Sequence, residues 1–208
     1  MWEFEKELSE TGHIIICGVD EAGRGPLAGP LYAGAVILPF GIEIRGLNDS
    51  KKISETKRNE LYEIIKDKAI SYATASVSHA EIDELNILNA TYLAMNRAIK
   101  ALSREPDISL IDGNRSSGID YPNKCIIGGD GKSASIAAAS IIAKTERDKY
   151  MTEIAVIYPQ YRFDKHKGYG TKLHYEMLQK YGPSEIHRVS FLKKGFSWGK
   201  KNEINYTR

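Results

Sequence analysis

The stretch HIIICGVDEAGRGP, residues 13–26, carries the strongest indication of the fold class. Its apolar first half is typical of a central strand that is covered on both faces of a sheet. Two adjacent carboxylates, Asp20 and Glu21, end this run, and Arg24 follows between two glycines. Carboxylates in such a position hold metals or move protons, whereas a glycine-flanked guanidinium suits a phosphate that the backbone must approach closely. The stretch therefore predicts metal-dependent chemistry on a phosphate-containing substrate.

The rest of the chain alternates strand and helix patterns, as expected of an α/β protein. Further strands are expected at 31–38, 70–77, 109–113 and 125–127, and helices at 54–68, 88–102, 133–150 and 171–181. Ser54 is a suitable N-cap for the first helix, and Gly182 with the proline after it ends the last. The second helix carries one apolar stripe that we interpret as core packing: Leu88, Tyr92, Met95, Ile99 and Leu102. The small side chains of the third helix allow it to lie close against a sheet.

Three separate strand ends carry acid: Asp20 with Glu21, then Asp112, then Asp130. Strand ends in an open α/β sheet gather at one crevice, so we expect these carboxylates to be neighbours in space. Two like charges about 5 Å apart repel by roughly 3 kcal/mol at an effective dielectric of 20, so such a cluster needs cations. Oxygen ligands favour Mg²⁺ or Mn²⁺ over zinc. For any one acid alone, an ordinary polar strand end remains the alternative.

The adjacency of Asp20 and Glu21 is a geometric difficulty for this site. Adjacent residues of a regular strand point to opposite faces of the sheet, so the two side chains can share a site only if the strand turns there. Gly23 and Gly25 favour such a turn. Glu21 could then contribute its carboxylate, its backbone carbonyl or a water-mediated contact, and these alternatives stay open.

Composition excludes several classes of protein. The chain has 208 residues, of which 42% are apolar and 27% charged, as in ordinary globular proteins. No apolar run approaches the roughly 20 residues of a membrane span, and the acidic first residues do not form a signal peptide. We therefore expect a cytoplasmic protein without membrane contact. The two cysteines, Cys17 and Cys125, lie in apolar runs and are expected to be buried free thiols.

Charge is divided unevenly along the chain. Residues 160–208 carry 11 Lys/Arg and 4 Asp/Glu, a balance of +7, whereas the preceding residues have a balance of −5. A basic C-terminal part beside an acidic centre suits a polyanionic partner, although a solvated basic surface would look the same. We expect phosphate contacts from four lysines in particular: Lys51, Lys52, Lys165 and Lys167. His166, beside Lys167, is interpreted as part of the same phosphate-facing loop.

Two nucleotide-binding patterns are matched only formally. Residues 23–28 fit G-x-G-x-x-A, but that motif should open a helix, and Pro26 and Pro30 favour a loop followed by a strand. Gly131-Lys132-Ser133 resembles the end of a P-loop, but Ile126 stands where the first glycine is required. Neither pattern indicates a nucleotide site.

The motifs taken together resemble bacterial ribonuclease HII, the type 2 ribonuclease H family. The similarity covers nearly the whole chain and is carried by an ordered set of segments: 20–30 (DEAGRGPLAGP), 48–52 (NDSKK), 111–113 (IDG), 129–130 (GD), 137–144 (AAASIIAK), 147–148 (RD), 166–171 (HKGYGT) and 187–191 (HRVSF). An ordered set of this length is far more specific than any single motif.

The resemblance implies a ribonuclease H-like mixed five-stranded sheet flanked by helices, with a small C-terminal helical extension. We place the catalytic domain at 1–158 and the basic extension at 159–208. The family's enzymes are endonucleases that cut the RNA strand of RNA–DNA hybrids and nick 5′ of ribonucleotides embedded in duplex DNA. The expected products are a 3′-hydroxyl and a 5′-phosphate, formed by two-metal-ion catalysis with Mg²⁺ or Mn²⁺. We expect a monomer.

The resemblance also assigns residues. The catalytic and metal-binding acids are Asp20, Glu21, Asp112 and Asp130. The residues expected to contact substrate are Gly23, Arg24, Gly25 and Tyr169, with Lys51 added from its charge. Lys144 and Asp148, four residues apart on a helix, are expected to form a supporting ion pair.

Two other classes of function stay open. One is a metal-dependent nuclease or recombinase of the same broad fold that recognises DNA structure rather than ribose. The other is a noncatalytic hybrid-binding module, which the presence of all four acids disfavours. A metal-independent ribonuclease would use paired histidines, and the five histidines form no obvious pair in the sequence, although one could form in space.

Overall fold

The computed structural model describes residues 1–47 and 53–192. Within them the chain forms a sheet of five strands and seven α-helices. The strands are β1 (Ile16–Ala22), β2 (Leu31–Ile37), β3 (Ser71–Val77), β4 (Ile108–Asp112) and β5 (Asn123–Ile126). The helices are α1 (Glu3–Glu10), α2 (Glu55–Lys68), α3 (His79–Leu85), α4 (Ile87–Lys100), α5 (Ala134–Ile157), α6 (Phe163–His166) and α7 (Lys172–Tyr181). Lys51, Lys52 and the end of the basic tail, where phosphate contacts were expected, lie outside these residues.

The sheet is mixed and has the strand order β3-β2-β1-β4-β5. β1 pairs in parallel with β4, and β4 pairs in parallel with β5, whereas β2 is antiparallel to both of its neighbours. The predicted mixed five-stranded sheet is therefore confirmed, with β1 at its centre. Asp20 lies in β1, Asp112 ends β4 and Asp130 follows β5. Because these three strands are parallel, their C-terminal ends lie on the same side of the sheet.

Helix α5 lies directly against the sheet, as its small side chains predicted. A side chain added to Gly18 of β1 would come within 2.0 Å of the backbone of Ser135. One added to Gly34 of β2 would lie 2.5 Å from the carbonyl oxygen of Ala139. The glycines therefore allow a backbone-to-backbone approach that any Cβ would prevent.

Helix α4 covers the opposite face of the sheet. Its stripe enters the main hydrophobic core, where Tyr92, Met95 and Ile99 are buried beside Cys17 and Val19 of β1, which confirms the packing interpretation. The prediction for the two cysteines is half right. Both are free and Cys17 is buried, but Cys125 is only partly buried because β5 is the edge strand.

Several predicted boundaries are wrong, and three helices, α1, α3 and α6, were not predicted. β1 begins at Ile16 rather than residue 13, because the carboxylate of Asp107 accepts the N–H groups of Ile14 and Ile15, both at 2.8 Å. Helix α5 continues to Ile157 instead of ending near residue 150. Helices α1 and α3 have short, mixed patterns, although the capping box of Ser78 at the start of α3 is a recognisable signal.

The part of the chain after α5 packs against α5 and against the segment between β1 and β2. Tyr161, Phe163 and Ile186 pack with Ala28 and with Met151 of α5 in one hydrophobic cluster. Helices α6 and α7 belong to this part, which is the expected helical extension, while its boundary at residue 158 stays a prediction. Among the described residues, no helix is both long and apolar enough to cross a membrane.

Candidate active site

Three carboxylates meet at the carboxyl edge of the parallel strands. Each of Asp20, Asp112 and Asp130 offers an oxygen atom, and these atoms all lie within 4.8 Å of one another. Asp20 belongs to β1 and Asp112 ends β4, whereas Asp130 lies in a short 3-10 turn, Gly129–Gly131, after β5. The expected convergence of these three acids is therefore present.

Asp20 is the most buried member of this carboxylate cluster, at 2% exposure. Its Oδ1 accepts the N–H of Glu21 at 2.7 Å, while Oδ2 is buried and makes no hydrogen bond of ordinary geometry within the described chain. Burial raises the pKa of Asp20 well above its usual range, and the nearby charges of Glu21 and Asp112 raise it further. Ionisation of Asp20 is therefore unfavourable unless a cation lies beside it.

Asp112 is linked directly to the turn that carries Asp130. Its Oδ1 accepts the backbone N–H of Gly129 at 2.6 Å. The turn is closed on its other side by the Gly129 carbonyl, which accepts the N–H groups of Lys132 and Ser133 at 2.9 and 2.8 Å. Asp112 is thus hydrogen-bonded to the same turn that contains Asp130.

Glu21 is placed differently from the other acids. Strand β1 does not turn at Asp20 but remains paired with β2 through Ala22, so the expected turn at this point is wrong. Glu21 is not a member of the carboxylate cluster, and its Oε1 lies 3.5 Å from Nη1 of Arg24. Its charge nevertheless raises the pKa of Asp20, so Glu21 is close to the cluster.

The turn that follows β1, residues 23–25, is called the glycine turn here, and a buried arginine holds its backbone. Arg188 is fully buried and donates to three carbonyl oxygens, those of Gly23 at 2.7 Å, Arg24 at 2.9 Å and Gly29 at 2.9 Å. Gly23 has a φ of 96°, a conformation that favours glycine. Because the carbonyl groups of Gly23 and Arg24 point toward Arg188, the exposed Arg24 side chain is left facing outward.

A second buried arginine lies against the same turn. Nε of Arg147 donates to the carbonyl of Pro30 at 3.0 Å, and a Cβ on Gly23 would lie 2.1 Å from that nitrogen. Nη1 of Arg147 is buried and has no hydrogen-bond partner among the described residues. Burial lowers the pKa of Arg188, and the charge of Arg147 lowers it further. Sequence reasoning assigned no role to either arginine, because nothing in the sequence shows that they are buried.

Tyr169 lies on an exposed loop next to these arginines. Its ring centroid is 5.5 Å from Cζ of Arg147 and 5.6 Å from Nζ of Lys144. The preceding residue, Gly168, accepts the N–H of Leu27 at 2.8 Å, and a Cβ there would lie 2.4 Å from the carbonyl oxygen of Ala28. The Tyr169 loop is therefore fastened to the segment that follows the glycine turn.

Three of the five histidines, His166, His174 and His187, are buried together in one cluster. His166 is buried and stacks on His174 with ring centroids 4.3 Å apart, so the interpretation of His166 as phosphate-facing is wrong. A histidine pair does form, because His174 and His187 are hydrogen-bonded in the same buried cluster. With exposures of 0% and 2%, neither ring is accessible to a substrate.

The predicted Lys144–Asp148 ion pair is present at 2.7 Å. Asp148 also pairs with Arg58 of α2 at 2.9 Å, and all three side chains lie on the α2–α5 side of the molecule. Lys167 donates to Thr152 at 2.9 Å, which ties the loop after α6 to α5. These contacts join α2, α5 and the loop after α6, and none of them involves a residue of the carboxylate cluster.

The residues of the cluster fit a divalent cation. All of the possible ligand atoms are oxygens, and Oδ2 of Asp20 is buried without a hydrogen-bond partner among the described residues. Burial, together with the charges of Glu21 and Asp112, raises the pKa of Asp20. A divalent cation would satisfy that oxygen and remove the repulsion. The fold and the site therefore match the metal-dependent ribonuclease H-like class that the sequence motifs resemble.

Solved structures support this class. The ribonuclease H2 of Pyrococcus horikoshii OT3 is similar with a TM-score of 0.70 and 25% identity, over 85% of this chain and 93% of that one. The RNase HII in a PCNA complex from Archaeoglobus fulgidus gives a TM-score of 0.69 and 25% identity, over 88% and 98%. Bst-RNase HIII, solved with Mn²⁺, shares the fold with a TM-score of 0.62 and 20% identity, over 73% and 57%.

Sequence comparison is more specific still. The profile of the family described as Ribonuclease HII matches residues 17–194. The ribonuclease HII of Caldicellulosiruptor bescii is 55% identical over 192 residues, which cover 92% of this chain and 93% of that protein. That of Clostridioides difficile is 54% identical over 91% of this chain and 74% of its own length. The chain belongs to the ribonuclease HII family and is therefore an endonuclease.

Proposed function

We propose that the chain hydrolyses the RNA strand of RNA–DNA hybrids and nicks duplex DNA on the 5′ side of an embedded ribonucleotide. The expected products carry a 3′-hydroxyl and a 5′-phosphate. The observation that carries the proposal is the meeting of Asp20, Asp112 and Asp130 within 4.8 Å, beside a glycine turn held by buried arginines. RNA–DNA hybrids and ribonucleotide-containing duplexes are the partners, and the working unit is a monomer.

The acids are proposed to act as the metal ligands. Asp20, Asp112 and Asp130 would hold Mg²⁺ or Mn²⁺ between them, with Glu21 contributing from the adjacent position on β1. Bound divalent cations supply Lewis-acid activation of water and charge stabilisation at a leaving oxygen. The chain keeps these carboxylates in place through the hydrogen bond from Gly129 to Asp112 and the one from the Glu21 amide to Asp20.

The glycine turn is proposed to recognise the ribose. A 2′-hydroxyl both donates and accepts hydrogen bonds, so backbone groups at Gly23 and Gly25 can recognise it without reading the base. Arg24 is exposed and would contact the neighbouring phosphate. Tyr169, whose ring lies near Arg147 and Lys144, would stack on a sugar or base at the junction. Lys51 would add a phosphate contact that carries no sequence information.

The test is a cleavage assay on paired duplexes. One duplex contains a single ribonucleotide, the other is the same sequence entirely in DNA, and both are labelled at the 5′ end. We expect one nick on the 5′ side of the ribonucleotide with Mg²⁺ or Mn²⁺, no nick with EDTA, and no cleavage of the all-DNA duplex. A hybrid substrate measures the second activity in parallel.

The controls distinguish the remaining alternatives. Equal cleavage of the all-DNA duplex would refute ribose recognition and favour a nuclease that recognises DNA structure. Tight hybrid binding without cleavage under any metal condition would favour a noncatalytic binding module. Cleavage that persists in EDTA would overturn the assignment of the carboxylate cluster as a metal site.

A further inference from the structure

Helix α1 contains a buried carboxylate that lies far from the active-site acids in sequence. Glu5 is 1% exposed, and its Oε1 accepts the hydroxyl of Ser133 at 2.6 Å and the backbone N–H of Ser135 at 3.1 Å. Its Oε2 is buried and has no hydrogen-bond partner among the described residues. Burying a carboxylate costs free energy unless hydrogen bonds or an opposite charge compensate for the lost hydration, and here only one of the two oxygens has such bonds.

Glu5 reaches the amino end of α5. The first amide of that helix, at Ala134, donates to the carbonyl of Met1 at 2.8 Å, and the second, at Ser135, donates to Glu5. The third, at Ile136, donates to the Ser133 hydroxyl at 3.1 Å. Helix N-termini carry partial positive charge and unpaired amides, so a carboxylate is stabilised there. Residues of the N-terminal segment therefore complete the cap of α5.

The same cap holds the turn that carries Asp130. Ser133 lies three residues after Asp130, and its backbone N–H donates to Gly129 at 2.8 Å. Gly129 in turn donates to Asp112 at 2.6 Å. The turn is thus fixed at one end by Asp112 and at the other by Ser133, whose hydroxyl is held by Glu5. A chain of hydrogen bonds therefore connects α1 with Asp112 through the turn that contains Asp130.

Helix α1 is packed firmly enough to transmit this restraint. Leu8 is buried with Leu110 of β4, Ile126 of β5 and Ile136 of α5 in one hydrophobic cluster. These residues lie on the strands and the helix that flank the Asp130 turn. The position of Glu5 is therefore set by core packing rather than by its own hydrogen bonds alone.

We propose that Glu5 is a positioning residue for the metal-binding site, acting through Ser133 on the turn that carries Asp130. This inference rests on the proposed function, because it assumes that Asp130 binds the metal. Loss of the Glu5 carboxylate removes the acceptor of the Ser133 hydroxyl, which keeps only its contact with the Ile136 amide, and this loosens the turn. Asp130 then occupies its binding geometry for less of the time, which weakens metal binding without removing a ligand.

The experiment measures Mn²⁺ binding to the metal-free protein by isothermal titration calorimetry, with thermal unfolding recorded in parallel. Glu5→Ala should weaken Mn²⁺ binding by about 10-fold, the lower end of the range for residues that orient metal ligands. Ser133→Ala should cause a similar loss. In the double variant the loss should match that of the stronger single variant, because both act on one path.

Two matched variants separate positioning from stability. Ile99→Ala destabilises the core on the α4 side of the sheet and leaves Glu5 and its contacts in place, so it should lower the unfolding temperature and leave Mn²⁺ affinity unchanged. Glu7→Ala removes an exposed carboxylate of the same helix, which pairs with Lys124 at the surface, and should change neither quantity much. If Glu5→Ala does not fold, Ser133→Ala carries the test.

The outcomes are distinguishable. Glu5→Ala or Ser133→Ala with the parent's Mn²⁺ affinity would overturn the inference, as would losses that add in the double variant. Asp130→Asn serves as the reference. If it binds Mn²⁺ as tightly as the parent, or if the parent binds none, the proposed metal site fails and this inference fails with it. If Asp130→Asn binds Mn²⁺ more weakly than the parent while Glu5→Ala binds it equally tightly, only the positioning role is refuted.

Discussion

The Nε2 atoms of His174 and His187 lie 3.0 Å apart in a buried hydrogen bond whose direction is set at both ends. Nδ1 of His174 donates to the carbonyl of Tyr169 at 2.9 Å, so Nε2 of His174 must accept. Nδ1 of His187 accepts the N–H of Ser184 at 2.8 Å, so Nε2 of His187 must donate. Both rings are therefore neutral, and a proton added to either would break this order.

The first prediction follows for stability against pH. Burial lowers the pKa of His174 to about 4 and that of His187 to about 3, and repulsion between the histidines adds to both shifts. The pKa of a histidine in the unfolded chain is about 6.5. Between that pH and the folded pKa values, the unfolded chain therefore binds protons that the folded chain does not bind. This contribution is fully present above about pH 6.5 and is lost as the pH falls toward the folded values.

We expect the free energy of unfolding to drop by on the order of 2 kcal/mol for either ring between pH 7 and pH 5. Urea unfolding at the two pH values measures it. His174→Gln should reduce the pH dependence, whereas His13→Gln, which lies outside the histidine cluster, should retain it. Equal urea midpoints for the parent protein at pH 7 and pH 5 would show that the rings are not held neutral.

The second prediction concerns Arg188. Arg188→Lys loses at least two of the three hydrogen bonds to Gly23, Arg24 and Gly29, because an ammonium lacks the fork geometry of a guanidinium. We expect the free energy of unfolding to fall by on the order of 3 kcal/mol, and the preference for ribonucleotide over all-DNA duplex to fall about tenfold.

Arg58→Lys is the matched control for this variant. Arg58 is also buried, but it pairs with the carboxylate of Asp148 and not with the glycine turn. Its substitution should lower stability while leaving substrate preference intact. A preserved preference in Arg188→Lys would show that the turn holds its shape without this arginine.

The third prediction concerns the contact between β2 and α5. Gly34→Ala places a methyl group where the carbonyl oxygen of Ala139 leaves 2.5 Å, so strand and helix must separate. Overpacking of this kind costs about 1–3 kcal/mol. Chemical denaturation should show this loss, while Gly25→Ala, which adds a methyl group in open space, should stay near the parent value. An unchanged free energy of unfolding in Gly34→Ala would mean that α5 can move away from β2 without cost.

The fourth prediction concerns Asp112. Asp112→Asn keeps the oxygen that accepts the Gly129 amide but removes the charge, so the turn should survive while metal binding does not. We expect cleavage to fall by at least about 100-fold, as is common when a metal ligand is lost, with hybrid affinity changed little. Gel-shift titration in EDTA measures binding independently of turnover. Retained activity would exclude Asp112 as an essential ligand.

The sequence predicted most of the fold because the relevant signals are local. The apolar run before Asp20 identified β1, and the small residues of α5 predicted its close approach to the sheet. Errors fell where a distant residue sets the boundary, as when Asp107 detaches Ile14 from the start of β1. Helix α1 carries no side-chain cap, so its local pattern was too weak to identify.

The acids at strand ends were recognisable from the sequence alone, because a strand and the carboxylate that ends it are neighbours along the chain. Whether Asp20, Asp112 and Asp130 meet depends on the folded sheet, in which β1, β4 and β5 are parallel neighbours. The tertiary structure also decided which polar groups are buried. Glu5 and Arg188 look like surface residues in the sequence, and their roles depend on hydrogen-bond partners 128 and 165 residues away.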